Sequence, residues 1–356
     1  MAITEKDKLL ILFPSPLPPS FLDTLAKRFP QLRVHFEIAS IGDPRTAPGE
    51  TLPDEVWDGV TLASLFRPPR AERLKNVRFV QLGSAGWDSW LEHETFLNKD
   101  VAFCCTSGVH PPQIAEWAIG AWLTHSHYFT TFIKQAEREE WIKGSRGLDS
   151  TVTDSVGLRM GIMGYGSIGR QVARLANALG MEIYVQTANP RPTPESKKLH
   201  EYTVPGTGDP DGLFPAKWFS GSGPEAVNEF LNQDLDLIVF SLPMNSQTRR
   251  CIGAEQFKIL GKKKKPFLIN VARGPIVDTP ALIEALEQGL LRGAALDVTD
   301  PEPLPQGHPL WKAPNVFITP HISWQSTKLT QRIADVMLQN LERLDKGEPL
   351  LNTIKR

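Results

Sequence analysis

The sequence predicts an α/β chain of roughly two domains, built from open, doubly wound sheets. Three observations carry this. Short apolar runs alternate with helical segments through the first third of the chain. Near the middle, a strand, the motif Gly164-Tyr165-Gly166-Ser167-Ile168-Gly169 and a helix follow one another. The length, 356 residues, suits two domains better than one.

In chain order, Leu9 to Phe13 reads as a strand, followed by a Pro-rich loop and a helix from about Pro19 to Phe29. Leu32 to Phe36, Val60 to Phe66 and Val77 to Leu82 are the next strands, with a helical segment at Ala71 to Leu74. The fourth strand runs into Gly83-Ser84-Ala85-Gly86-Trp87-Asp88. Such a loop is either a plain turn or a nest whose backbone N–H groups hold a carboxylate. Val101 to Cys105 is a further strand, and Thr106 to Pro112 breaks regular structure. Ile114 to His127 reads as a long apolar helix crossing between domains, and Gln135 to Lys143 as a charged helix carrying Trp141.

The dinucleotide signature follows. Met160 to Met163 is a buried strand, and Val172, Leu175, Ala176 and Leu179 recur at helical spacing before the stop at Gly180. Gly164 allows the tight turn, Gly166 admits a pyrophosphate close to bare backbone, and Gly169 lets helix pack on strand. Ser167 and Ile168 open the helix whose N-terminal N–H groups and dipole favour phosphate.

Met181 to Gln186 is the second strand of the unit. An NAD site commonly places an acid at its end, about 20 residues beyond the motif. Thr187 stands there instead, with Arg191 four residues on. A neutral residue and a nearby arginine suit a 2′-phosphate, which favours NADP(H) and still admits NAD(H). The bland reading of Arg191 is a solvated loop side chain. From Pro190 to Gly223 the chain is Pro- and Gly-rich and reads as an unusually long surface loop. Asp236 to Leu242 is the next strand, ended by Pro243. The four lysines from Lys262 to Lys265 read as a solvated helix end before the strand Phe267 to Val271.

Composition excludes several classes. A net charge of −1 gives no reason to expect nucleic acid or an anionic membrane as partner. No apolar run approaches the ~18 residues of a membrane span. The N-terminus carries no apolar signal segment, and Cys104, Cys105 and Cys251 form no disulfide framework, so a reducing cytoplasm is expected. Nor do the cysteines have metal-site spacing, and no metal is expected.

Three polar residues lie past strand ends in the last third: Arg273 after Phe267 to Ala272, Glu302 beyond Gly293 to Leu296, and His321 after Val316 to Pro320. That edge is where doubly wound sheets keep their ligands. Singly, each reads as a cap or a solvated charge. Together they offer a carboxylate binder, an acid–base group and its orienting partner.

At this point the sequence resembles the D-isomer-specific 2-hydroxyacid dehydrogenases. The resemblance rests on Leu158 to Gly169, Asn270 to Asp278, Gly293 to Pro303 and Thr319-Pro320-His321, with Leu82 to Asp88 similar to the family's substrate loop. It covers nearly the whole chain and is closest to the glyoxylate/hydroxypyruvate reductase-like branch. It implies two Rossmann-like domains with a cleft between them. Residues 1–112 plus 324–356 would form a flavodoxin-like substrate domain, and residues 113–323 the dinucleotide-binding domain. It also implies a homodimer through the region from Gln113 to Ser150.

The implied reaction moves a hydride between nicotinamide and C2 of a small 2-oxo acid or D-2-hydroxy acid. Arg273 would pair with the substrate carboxylate, His321 would donate the proton, and Glu302 would orient the imidazole. Asp297 would bond the nicotinamide carboxamide. Leu242, Pro243, Thr248, Val271 and Ala272 would line the cofactor, with Arg273 and His321 reaching it. Ser84, Ala85 and Gly86 would offer amides to the carboxylate. Trp87 and Trp324 either line the substrate pocket or pack in a core or an interface. Two other functions share parts of this pattern. A corepressor-like module would bind NAD(P)(H) with little turnover, and the formate dehydrogenase branch has Gln where Glu302 stands.

Overall fold

The computed structural model describes residues 2–39, 52–142 and 151–356. The chain divides into two compact units. The first comprises Met1–His110, Glu201–Val204 and Ser326–Arg356, and the second Pro111–His200 and Pro205–Gln325.

The first unit is built on five parallel strands: β1 (Lys8–Phe13), β2 (Arg33–Ile38), β3 (Leu62–Leu65), β4 (Phe79–Leu82) and β5 (Ala102–Cys104). Their order is β2-β1-β3-β4-β5, the flavodoxin-like arrangement. β1, β3 and β4 are apolar almost throughout because helices and loops cover both faces of a parallel sheet. Leu10, Leu12, Ala63, Leu65, Val80 and Leu82 meet a cluster of Trp90, Phe96 and Phe103. The Phe96 and Phe103 rings stand edge to face at 5.0 Å. Each such fully buried side chain stabilises the fold by about 1.5–3 kcal/mol.

The C-terminal helix Leu329–Lys346 belongs to this unit and buries Leu329, Ile333, Val336, Met337 and Leu341 along one stripe. Its Asn340 is wholly buried and donates to Gln81 Oε1 at 2.8 Å, so both amides are satisfied where they cross. At the sheet's base Asp7 is almost fully buried, and it accepts from Arg78 Nε and Nη2, both at 3.1 Å, and from Thr61 Oγ1 at 2.7 Å.

The second unit is a seven-stranded parallel sheet. Its strands are β6 (Arg159–Met163), β7 (Glu182–Thr187), β8 (Pro215–Ser220), β9 (Leu237–Phe240), β10 (Phe267–Asn270), β11 (Gly293–Leu296) and β12 (Val316–Ile318). The order β12-β11-β10-β9-β6-β7-β8 reverses between β6 and β9, which makes that pair the switch point where such sheets bind ligands. One face is covered by the helix Pro111–Ser126 and the helix Ser167–Ala178, the other by Pro224–Leu231, Ala254–Gly261 and Thr279–Glu287.

Two expectations are corrected. The long connection after β7 is not loop throughout. It contains the short helix Pro194–Lys197 and the edge strand β8, and Glu201–Val204 within it belongs to the first unit. Tyr202 there donates its N–H to Asn352 Oδ1 at 3.1 Å. The helix expected over Gln135 to Lys143 is instead Phe129–Glu137, and it ends before Trp141. Among the described residues no helix is long and apolar enough to cross a membrane, and no cluster of metal-ligating side chains occurs.

Candidate active site

β6 delivers the chain to Gly164 at φ +93°, a left-handed turn that side chains disfavour. A Cβ there would come within 2.7 Å of the Leu242 backbone, so Gly164 also permits the close approach of the β9 end. Ser241 Oγ donates to Gly164 O at 2.8 Å and locks the two strand ends together. Above Gly166, by contrast, a Cβ would meet no atom within 4 Å. The second glycine therefore faces open space, and no side chain caps the helix it begins. Free N–H groups and a positive dipole end at a bare turn fit a pyrophosphate. Ser167 and Ile168 form the first turn of that helix.

Thr187 closes β7, with Oγ1 donating to Asn189 O at 2.8 Å. Arg191 is exposed and gives Nη1 to Ser196 O at 2.7 Å. Leu242 is half-buried and Pro243 exposed just after β9. Thr248 is buried and donates to Pro243 O at 2.8 Å, which stiffens this turn. Val271 and Ala272 are buried past β10.

Arg273 follows them and bonds Ala272 O through Nη1 at 2.8 Å. Asn270, buried at the end of β10, brackets the turn. It accepts from Ala272 N at 3.0 Å and donates to Arg273 O at 3.0 Å. The next residue, Gly274, lies so close to the 299–300 backbone that a Cβ would sit 1.9 Å from Thr299 O. That contact brings the Arg273 turn beside the loop carrying Glu302.

His321 Nδ1 lies 2.7 Å from Glu302 Oε1. A carboxylate only accepts, so Nδ1 carries the proton and donates. Among the described residues Nε2 has no hydrogen-bond partner. Glu302 is held below its ordinary carboxyl range, chiefly by this hydrogen bond. Partial burial opposes the shift, while the charges of His321 and Arg273 and a backbone hydrogen bond from Thr299 add to it. Arg273, Glu302 and His321 thus form one electrostatic group, all past the C-terminal ends of β10, β11 and β12.

Asp297 directly follows β11. It is 2 % exposed, and its carboxylate accepts from Thr319 Oγ1 (2.6 Å), Ile322 N (2.9 Å) and Ser323 N (3.0 Å) and Oγ (2.5 Å). Its carbonyl accepts the N–H of His321 at 2.8 Å. Here Asp297 acts as the hub of the turn that presents His321. Trp324 works from the other side: its indole N–H donates to His321 O at 2.7 Å, while the ring packs on the core under the helix Pro111–Ser126. Sequence reasoning missed Asn270, Thr319 and Ser323, all short polar residues at strand ends.

In the first unit Ser84, Ala85 and Gly86 follow β4, and among the described residues their amides have no backbone acceptor. Ser84 Oγ instead donates to Gly86 O at 2.7 Å and shapes the turn. Trp87 is partly buried against that unit's core.

Comparison with known proteins agrees with this geometry. The profile described as "D-isomer specific 2-hydroxyacid dehydrogenase, NAD binding domain" matches residues 119–207 and 220–323. A glycerate dehydrogenase from Methylorubrum extorquens is 30% identical over 83% of this chain and 87% of its own length. A glyoxylate reductase from Thermofilum pendens is 28% identical over 77% of this chain and 73% of its own. Among solved structures, a D-isomer specific 2-hydroxyacid dehydrogenase from Xanthobacter autotrophicus, in complex with NADPH and MES, superimposes with a TM-score of 0.72. It is 25% identical, and the match covers 98% of both chains.

Proposed function

Starting from a chain that belongs to the D-isomer-specific 2-hydroxyacid dehydrogenases, NAD(P)-dependent oxidoreductases, we propose that it reduces a small 2-oxo acid at C2. Glyoxylate, hydroxypyruvate or a bulkier analogue would give the D-2-hydroxy acid, with NADPH favoured over NADH. The observation that carries this reading is the His321–Glu302 pair, with Nδ1 committed at 2.7 Å and Nε2 free to give a proton.

A bound nicotinamide supplies the hydride. Arg273 holds the substrate carboxylate through its planar fork and polarises the carbonyl. His321 delivers its Nε2 proton to the oxygen that gains charge, and Glu302 keeps the ring oriented throughout. The backbone amides of Ser84, Ala85 and Gly86, which have no backbone acceptor among the described residues, suit a carboxylate. NADPH is favoured because Thr187 removes the acid that would repel a 2′-phosphate, and Arg191, exposed and bonded to Ser196 O through Nη1, is placed close by in the sequence. The relatives named glyoxylate reductase and glycerate dehydrogenase support the substrate class. Initial rates with a panel of 2-oxo acids, each with NADPH and NADH, test the reading. Cofactor binding without turnover of any of them would favour a corepressor-like module instead.

We further infer a homodimer. Phe129, Phe132, Ile133, Trp141, Ile142, Val152 and Val156 are all exposed, Trp141 by 91 %, in one stretch of the second unit. Exposed apolar side chains along one stretch of chain favour an interface, and a second copy is the occupant we assign. Residues 143–150 of the expected interface lie outside the described residues. Light scattering showing a monomer at micromolar concentration would reject the dimer.

A further inference from the structure

The glycine-rich turn is fastened from an unexpected place. Tyr165, between its first two glycines, is buried and donates its hydroxyl to Asp209 Oδ2 at 2.6 Å. Asp209 lies 44 residues downstream, in the long connection between β7 and β8, and is only 4 % exposed. Its other donors are Leu213 N at 2.9 Å and Phe214 N at 3.1 Å. A buried carboxylate is costly unless hydrogen-bonded, and Tyr165 supplies a side-chain donor here.

Arg170, directly after the third glycine, is 2 % exposed. Its guanidinium lies over the Tyr165 ring at 4.8 Å, and it donates to Asp209 O and, at 2.6 Å, to Lys197 O. One side chain thus spans both strands of the neck of residues 197–209. Leu199 N closes the same neck onto Pro210 O at 2.8 Å. Gln171 Oε1 accepts from Gly208 N at 2.6 Å, and Arg174 donates to Gly208 O at 3.2 Å. Trp218 of β8 stands edge to face on Tyr165 at 5.1 Å. A turn needs none of this merely to fold. The network bears on one thing, the placement of the Gly164–Gly166 backbone and the helix N-terminus behind it.

We propose that Asp209, acting through Tyr165, is a positioning residue for dinucleotide binding: it fixes the turn that receives the pyrophosphate and so sets cofactor affinity rather than the rate of hydride transfer. The pyrophosphate is common to both cofactors, so NADPH and NADH must be affected alike. This separates the proposal from the 2′-phosphate reading at Thr187 and Arg191. It rests only on nicotinamide dinucleotide binding.

The test is a double-mutant cycle with Tyr165→Phe and Asp209→Asn, titrating NADPH and NADH by fluorescence and measuring kcat at saturating cofactor and Tm. Each single variant should raise Kd for both cofactors by about tenfold, as expected for loss of one hydrogen bond to a charged acceptor. Saturated kcat should stay within about twofold, and the double variant should be no weaker than the weaker single one. Unchanged Kd in Tyr165→Phe, even with a lowered Tm, would show a purely structural tie and overturn the proposal. So would an effect confined to NADPH, or effects that multiply in the double variant. If Asp209→Asn does not fold, Tyr165→Phe alone decides, because it keeps the ring and leaves Asp209 its two backbone donors.

Discussion

His321 reaches Glu302 from a left-handed backbone: at φ 52° its Nδ1 lies 2.7 Å from Glu302 Oε1. A non-glycine residue in this region is strained by roughly 1–2 kcal/mol and must be held there. Asp297 O accepts its N–H, and Trp324 Nε1 donates to its carbonyl. The backbone is therefore clasped at both ends, and the ring's direction is set before a substrate arrives.

The first expectation follows from that preorganisation. His321→Ala should lower kcat by on the order of 10²–10⁴-fold while cofactor Kd changes little. Arg273→Ala should lose comparable kcat/KM and also raise KM for the oxo acid, since it removes the carboxylate's bidentate partner. Stopped-flow reduction and a fluorescence titration of each variant check both. A His321→Ala enzyme with near wild-type kcat would remove His321 from the proton-transfer role.

Glu302 gives a pH signature. Its carboxyl is held below the ordinary 4.5 mainly by the hydrogen bond from His321, so the folded protein keeps it ionised further into acid than the unfolded chain would. The pair's contribution is complete above the ordinary glutamate range and is lost as pH falls through the lowered value. Oxo-acid reduction by the unmodified enzyme should show no acid limb from Glu302 at or above 4.5. Glu302→Gln should be slower by about tenfold or more throughout, because an amide orients the ring without charge. An acid limb near 5 in the wild type that disappears in Glu302→Gln would contradict the pairing.

Gly274 tests how the loops are brought together. A Cβ at this position would lie 1.9 Å from Thr299 O, so Gly274→Ala must push the Arg273 turn away from the Glu302 loop. A displacement of about 1 Å can cost on the order of 10²-fold in rate. We expect kcat/KM to fall by that order with cofactor affinity nearly retained, and Tm to fall by several degrees. Unchanged kinetics would mean that the backbone relaxes elsewhere.

The sequence made the sheets and the candidate site residues legible because both are local signals. Apolar runs such as Leu237–Phe240 are strands by composition, and the glycine motif declares its own turn. β8 was hidden because Pro215–Ser220 lies at a sheet edge, buries only Phe219 fully, and sits in a Pro- and Gly-rich stretch. The Tyr165–Asp209 tie joins residues 44 apart, and neither residue signals the other. The strand-end position of Asp297 is a local signal, whereas its four donors come from residues 319–323, brought up by β12.

Away from the site, Asp7 and Arg78 govern acid stability of the first unit. Burial alone would raise the Asp7 carboxyl, but hydrogen bonds from Arg78, Thr61 and Thr4 and the Arg78 charge outweigh it and hold the group at about 2. With an ordinary value of 3.8, the pair's stabilisation is fully present above that pH and is lost as pH falls towards 2. It amounts to roughly 2 kcal/mol at neutral pH. Arg78→Met should destabilise at pH 7 and flatten the dependence of Tm on pH between 4 and 2. Equal acid sensitivity in variant and wild type would assign that dependence to other groups.

The proposed preference for NADPH should be reversed by a single charge. Thr187 ends β7 with its hydroxyl turned to Asn189 O, so nothing negative stands where an acid would repel a 2′-phosphate. Arg191 gives Nη1 to Ser196 O, and among the described residues its Nε and Nη2 have no hydrogen-bond partner. A charge-assisted hydrogen bond of about 1.5–3 kcal/mol corresponds to roughly ten- to a hundred-fold in affinity. NADPH should therefore give the higher kcat/KM, Thr187→Asp should shift the preference to NADH, and Arg191→Ala should weaken NADPH far more than NADH. If Arg191→Ala leaves both cofactors unchanged while NADPH remains preferred, the phosphate is held by another cation, with Lys197 and Lys198 next in line on the same short segment. Equal or better efficiency with NADH in the unmodified enzyme would overturn the NADPH assignment and leave the dehydrogenase chemistry of Arg273, Glu302 and His321 standing.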